Sequence, residues 1–144
     1  MEFDNRKSQL ELQVIWKDSD MIELRVKATN GRFSGTTEVY DTTESLNDWV
    51  QLLAQFPNGK QLLVYEAGKK SGYAFWGMRI NLPDPTGLVG VEITLEENSN
   101  RKTWQDKVEL EMLVYLAAID NFREQLTKLI LKEEGAASLY GESH

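Results

Sequence analysis

The chain has 144 residues, 41% hydrophobic and 27% charged, which is typical of one globular domain rather than a disordered segment. Its 23 acidic and 16 basic residues give a net charge of -7, which argues against general affinity for nucleic acid or for an anionic membrane surface. There is no cysteine and one histidine, His144, so disulfides, cysteine nucleophiles and thiolate zinc sites are excluded, and a serine triad lacks its histidine unless the end of the chain folds back.

The first part of the chain predicts three strands. Apolar and polar residues alternate over residues 10–17 and again over residues 22–29, which is the period of a strand with one buried face. Asn30-Gly31 suits a tight type I′ turn and leads to a third strand, residues 32–40. We expect these strands to form an antiparallel meander with Trp16 in the core.

A helix is predicted next, because the apolar period changes after Asp41. Asp41 and Glu44 have the spacing of a capping box, and Pro57 disfavours helical geometry at Phe56, where the helix should end. The apolar residues at helical spacing are Leu46, Trp49, Val50 and Leu53.

The rest of the chain predicts further strands and a second helix. The strands cover residues 61–66, 73–82, 88–96 and 107–115, and the helix covers residues 117–132. The fold class is therefore α+β, with a largely antiparallel meander sheet of about seven strands and two helices packed on one face, in the order βββ-α-ββββ-α. Residues 1–132 form a single domain, and residues 133–144, with two glycines and little apolar content, are expected to be a flexible C-terminal tail.

Carboxylates are the main candidates for chemistry. No segment matches a P-loop or a dinucleotide fingerprint, so we expect no cofactor. The densest acidic group, Glu92, Glu96, Glu109 and Glu111, should lie on one outer sheet face. A hairpin register that sets Glu92 opposite Lys107 would pair these charges internally, so we predict a solvated face and no metal site. Paired carboxylates also suit glycoside hydrolysis, which requires a cleft.

The third strand carries a polar row on its outer face. Arg32 and Glu38 are suited to orient a ligand, and Tyr40 to stack on it; an ordinary exposed strand face is the alternative. Gly35 falls on the inner face, where a strand glycine often marks the close approach of another segment, which we expect to be the first helix.

The fifth strand places aromatic residues on its outer face. Tyr73 and Phe75 are followed by Arg79, and together they predict an aromatic patch with a polar rim, which is typical of a protein interface. Two alternatives stay open. Trp104 or the Leu139-Tyr140 pair covers the patch, or the sheet curls and buries both faces in part.

The segment from Ala28 to Tyr40, Ala-Thr-Asn-Gly-Arg-Phe-Ser-Gly-Thr-Thr-Glu-Val-Tyr, resembles an uncharacterised family of small bacterial domains. Its members look similar in having a strand, an Asn-Gly-Arg-Phe turn, a Gly-Thr-Glu strand and a helix that ends in Phe-Pro, here Phe56-Pro57. The resemblance covers about half of the chain and implies no activity. It implies a free-standing intracellular bacterial protein.

The leading hypothesis is a non-enzymatic protein-binding domain that uses an outer sheet face, and an immunity-type protein that neutralises a basic toxin is one concrete form of it. The binding residues would be Arg32, Glu38, Tyr40, Tyr73, Phe75 and Arg79. One alternative is a small-ligand binder or carboxylate-based hydrolase, and another is a homo-oligomeric structural protein. The N-terminal seven residues contain no apolar run, so we expect no signal peptide and a cytoplasmic protein.

Overall fold

The computed structural model describes residues 7–70, 73–98 and 104–143. Its order of elements confirms the predicted α+β class and the order βββ-α-ββββ-α, to which one strand is added at the end. The elements are β1 (Ser8–Lys17), β2 (Ile22–Asn30), β3 (Ser34–Asp41), α1 (Thr43–Gln55), β4 (Leu63–Gly68), β5 (Phe75–Ile80), β6 (Leu88–Glu96), β7 (Lys107–Tyr115), α2 (Leu116–Lys132) and β8 (Ala136–Tyr140).

The described strands form two sheets, and the prediction of a single meander is wrong. The first sheet has the order β3-β2-β1-β8 and the second has the order β4-β5-β6-β7, with antiparallel pairing throughout. Helix α1 connects β3, an edge strand of the first sheet, to β4 of the second sheet. Both sheets and both helices contribute to one buried apolar cluster, whose largest fully buried members are Trp49, Trp76 and Phe122.

Strand β8 corrects the prediction of a flexible tail. Glu133 and Gly135 both have positive φ, 53° and 88°, and after α2 the chain pairs antiparallel with β1. Ala137 and Leu139 are fully buried, so this short segment completes the first sheet. The sequence signal is weak because one of the two inward side chains is only a methyl group.

Strand β3 lies so close to the second sheet at Gly35 that no side chain larger than hydrogen fits there without a shift of its neighbours. A Cβ atom at Gly35 would lie 2.5 Å from Cγ1 of Val108, on β7. The segment that lies against Gly35 is therefore a strand of the second sheet, and the expectation that it is the first helix is wrong. Among the described residues, no helix is long and apolar enough to span a membrane.

We expect Gly35→Ala to lower the free energy of unfolding by about 1–3 kcal/mol, because the added methyl group collides with a β-branched side chain that has little rotamer freedom. Gly59→Ala is the matched control, since a Cβ atom there meets nothing within 4 Å. Urea denaturation followed by tryptophan fluorescence measures both. Adding Val108→Ala to Gly35→Ala should recover part of the loss. Equal stability of the two single variants would contradict the close approach.

Candidate functional site

A groove of about 550 Å³ opens where the end of β3 meets the β4–β5 hairpin and the end of β6. We call it the junction groove, because its walls come from both sheets. Its side chains combine aromatic rings with carboxylates and one ammonium group: Glu23, Glu38, Tyr40, Lys69, Tyr73 and Glu97. Tyr40 and Tyr73 remain 53% and 58% exposed, so the groove is open to solvent.

The wall from the first sheet is a row of side chains in register across three strands. Trp16 on β1 pairs with Glu23 on β2, and Glu23 pairs with Tyr40 on β3. The Trp16 and Tyr40 rings meet edge to face, with centroids 6.0 Å apart and an interplanar angle of 88°. Trp16 is 45% exposed, so the prediction that it lies in the core is wrong. A register shift between Val14 and Trp16 turns its side chain to the outer face.

The carboxylates of the groove differ in their partners. Glu38 stands opposite Arg25 in the register, and the Arg25 Nε to Glu38 Oε2 distance is 2.8 Å. Among the residues that the structure describes, neither Glu23 nor Glu97 forms an ion pair. The described part of the groove therefore holds carboxylate charge that is available to an incoming cation.

The wall from the second sheet is held by the side chain of Gln105. Its Nε2 donates to the backbone oxygens of Tyr73 and Glu97, at 3.1 and 2.7 Å. This amide ties the start of the β5 region to the end of β6. The Lys69 Nζ lies 5.1 Å from the centroid of the Tyr73 ring, so a cation of the protein itself lies over this aromatic face.

The structure brings three of the six predicted binding residues together. Glu38, Tyr40 and Tyr73 line the junction groove. Arg32 is exposed, but it lies in the turn before β3 and not in the polar row.

The turn that contains Arg32 has two central residues, Gly31 and Arg32. Gly31 has φ 90°, and Asn30 Oδ1 accepts the backbone N–H of Arg32 at 3.0 Å. Positive φ at the first central residue is the pattern of a type II′ turn, not the predicted type I′.

Phe75 and Arg79 lie on the outer face of the second sheet, outside the junction groove. Phe75 is only 3% exposed, because its ring covers Gly77, where a Cβ atom would meet it at 3.0 Å. Lys70 Nζ lies 5.1 Å from the centroid of the Phe75 ring. The predicted patch of Tyr73 and Phe75 is thus divided, and of these two rings Tyr73 is exposed and Phe75 is buried.

The glutamates of the second sheet pair differently from the prediction. Glu92 stands opposite Glu111, and Lys107 stands opposite Glu96, so the register that pairs Glu92 with Lys107 is wrong. Glu92 finds its counter-charge on the neighbouring strand, where Arg79 Nε lies 3.8 Å from its Oε2. Within the described ranges, no group of three or more acidic or histidine side chains is arranged to hold a metal ion.

A buried carboxylate joins the two sheets beside the groove. Thr42 caps α1 by accepting the Ser45 N–H at 3.1 Å, so the prediction of Asp41 as the capping residue is wrong. Asp41 Oδ2 instead accepts the Tyr65 hydroxyl at 2.6 Å, and Oδ1 accepts the Thr42 N–H at 2.7 Å. Burial raises the pKa of Asp41, and these hydrogen bonds oppose the rise. Burial and the charge of Asp41 raise the pKa of Tyr65.

The Asp41–Tyr65 pair is attached to the core through the Tyr65 ring. The Tyr65 ring packs between Trp49 and Trp76, at centroid distances of 5.2 and 5.3 Å, and all of these side chains belong to the core. The pair fixes the end of β3 to β4, which positions the adjacent residue Tyr40 in the groove.

No known protein family, curated protein or solved structure matches the chain. The family resemblance of the segment from Ala28 to Tyr40 therefore stays a prediction, and the function is argued from the geometry of the chain itself.

Tyr65→Phe should lower the free energy of unfolding by about 1.5–3 kcal/mol at pH 7, because a buried carboxylate loses a charge-assisted hydrogen bond. The decrease should be smaller at pH 3, where Asp41 is protonated. Urea denaturation across this pH range measures the effect, and an equal decrease at both pH values would contradict it.

Asp41→Asn tests the raised pKa of Asp41. The folded chain holds this proton more tightly than the unfolded chain, whose aspartates have a pKa of about 3.9. The contribution of Asp41 to stability is therefore complete below that pH and is lost as the pH rises through the raised pKa. Asparagine does not ionise, so the stability of Asp41→Asn relative to the wild type should increase with pH across this window. A difference that is independent of pH would refute this assignment.

Proposed function

We propose that this protein is a non-enzymatic protein-binding domain whose partner docks in the junction groove. The observation that carries the proposal is the meeting of exposed aromatic rings from both sheets, Tyr40 and Tyr73, in a concave surface rimmed by carboxylates. Tyrosine and tryptophan are enriched among the residues that dominate binding energy at interfaces. Strand β3 holds Tyr40, and the Gln105 side chain ties the backbone of Tyr73, two residues before β5, to that of Glu97, so the two rings are held in place.

The exposure of the groove favours binding over catalysis. A carboxylate-based hydrolase needs two carboxyl groups that flank the scissile bond, in a cleft that encloses the substrate. The groove is instead lined by tyrosines that are more than half exposed, and Glu38 is engaged by Arg25. The proposal extends to a cytoplasmic bacterial protein, which the family resemblance implies, and an immunity-type protein that neutralises a basic toxin remains one concrete form.

A small-ligand binder is the second candidate, because a volume of about 550 Å³ lies within the usual range of ligand pockets. Such pockets normally bury about 70–90% of their ligand, which requires more enclosure than the exposed tyrosines provide. We therefore rank it below a protein partner, which covers an open groove with a surface of its own.

Photo-crosslinking in the native cells tests the proposal. A benzophenone-bearing phenylalanine replaces Tyr40 or Tyr73, and the control position is Leu131 of α2, which is 84% exposed. We expect positions 40 and 73 to give an adduct with the same protein and position 131 to give none. The partner identified by mass spectrometry is then produced in pure form. Its affinity should fall about tenfold or more in the double variant Tyr40→Ser, Tyr73→Ser, as expected of aromatic hot spots.

The double variant should lose no more than about 2.5 kcal/mol of stability, since it removes the exposed Trp16–Tyr40 and Lys69–Tyr73 contacts, worth about 0.5–1.5 and 0.5–1 kcal/mol. Urea denaturation shows that it is still folded. Adducts that form equally at position 131, or a partner whose affinity is unaffected by the double variant, would overturn the proposal. An adduct of twice the mass of the chain would show self-association through the groove instead.

A further inference from the structure

We propose that the junction groove recognises an arginine- or lysine-bearing segment of its partner, and that Lys69 covers the cation site on Tyr73 until the partner displaces it. The inference rests on the proposed function and adds the chemistry of the partner. It is carried by two independent features of the groove, which are its charge and the position of Lys69.

The charge of the groove suits a cation. Of the residues that the structure describes, Glu23, Glu38 and Glu97 line it with three carboxylates, and Lys69 with one ammonium group. Arg25 neutralises Glu38 from the outer face of β2. The remaining carboxylates and the tyrosine rings form a surface on which a guanidinium or ammonium group gains both ion pairing and contact with an aromatic face.

Lys69 marks the site at which such a cation binds. Its ammonium group lies 5.1 Å from the Tyr73 ring centroid, the distance of a cation–π contact. The contact is exposed, so it is worth only about 0.5–1 kcal/mol. An arginine stacks on an aromatic ring better than lysine does and is less strongly hydrated. A partner arginine therefore displaces Lys69 at small cost.

A protein segment fits the groove better than a small cation does. Trp16 extends the aromatic surface beyond the groove through its edge-to-face contact with Tyr40. A small cation occupies one ring, whereas a polypeptide reaches the ring, the carboxylates and Trp16 at once. The net charge of -7 also speeds encounter with a basic protein.

The chain offers a matched pair of variants, Lys69→Gln and Lys70→Gln. Both remove one positive charge from neighbouring residues of the same hairpin, and both lysines lie 5.1 Å from an aromatic centroid. Lys69 lines the junction groove, whereas Lys70 lies over Phe75 on the outer face of the second sheet. A local competitor and a general charge effect are therefore separable.

The probe is a fluorescent nonapeptide with three arginines in a Gly/Ser background, and its control has glutamine in place of arginine. Fluorescence anisotropy measures binding. We expect Lys69→Gln to bind the arginine peptide about two- to fivefold more tightly than the wild type, the factor that corresponds to a lost contact of 0.5–1 kcal/mol. Lys70→Gln should change the affinity less than twofold. Tyr40→Ser with Tyr73→Ser should weaken binding to the level of the glutamine peptide.

Equal tightening by Lys69→Gln and Lys70→Gln would overturn the proposal, as would arginine and glutamine peptides that bind alike. The result is distinguishable from failure of the proposed function. If the crosslinked partner needs Tyr40 and Tyr73 but binds equally well to Lys69→Gln, the docking site is supported and the proposed cation site is wrong. If the arginine peptide binds as expected but the partner crosslinks elsewhere, the cation site is supported and the proposed docking site is wrong.

Discussion

The approach of β3 to the second sheet is the constraint on which the rest of the structure depends. One face of β3 is committed to this contact along its whole length. Gly35 lies against Val108, and the Thr37 hydroxyl donates to the backbone oxygen of Glu96 at 2.8 Å. Asp41 then accepts the Tyr65 hydroxyl at the end of the strand. Side chains alternate along a strand, so Glu38 and Tyr40 point to the opposite face of β3, where they line the junction groove.

The sequence predicts the elements well and their assembly only in part. Strands β6 and β7 have the predicted bounds, and both helices are within one or two residues of them. Alternation shows that a strand has one buried face, but it does not show what covers that face. A strand packed on helices and a strand packed on another sheet have the same period. The division into two sheets depends on contacts between distant residues, so a local pattern does not contain it.

The candidate site was predictable where strands are regular and not where they deviate. Glu38 and Tyr40 follow from alternation alone. Trp16 does not, because one bulged residue reverses the face of every later side chain on that strand. Phe75 has the predicted face, yet it is buried because Gly77 beside it leaves space for the ring to lie down on the sheet. The hydropathy pattern of the sequence predicts neither the bulge in β1 nor the packing of the Phe75 ring on Gly77.

Negative charge alone does not distinguish the groove from the rest of the surface. The second sheet presents Glu92 and Glu111 directly opposite each other, but Arg79 and the Asn81 amide, which donates to Glu92 at 2.8 Å, already engage this face. The aromatic ring beside these charges, Phe75, is buried beneath Lys70, and the exposed ring on this face, Tyr115, stands four residues beyond Glu111 at the end of β7. The groove differs because its rings are exposed and its own cation is held weakly. On the proposed mechanism, Lys69 then sets a threshold for specificity, because only a partner with enough additional contacts gains from displacing it.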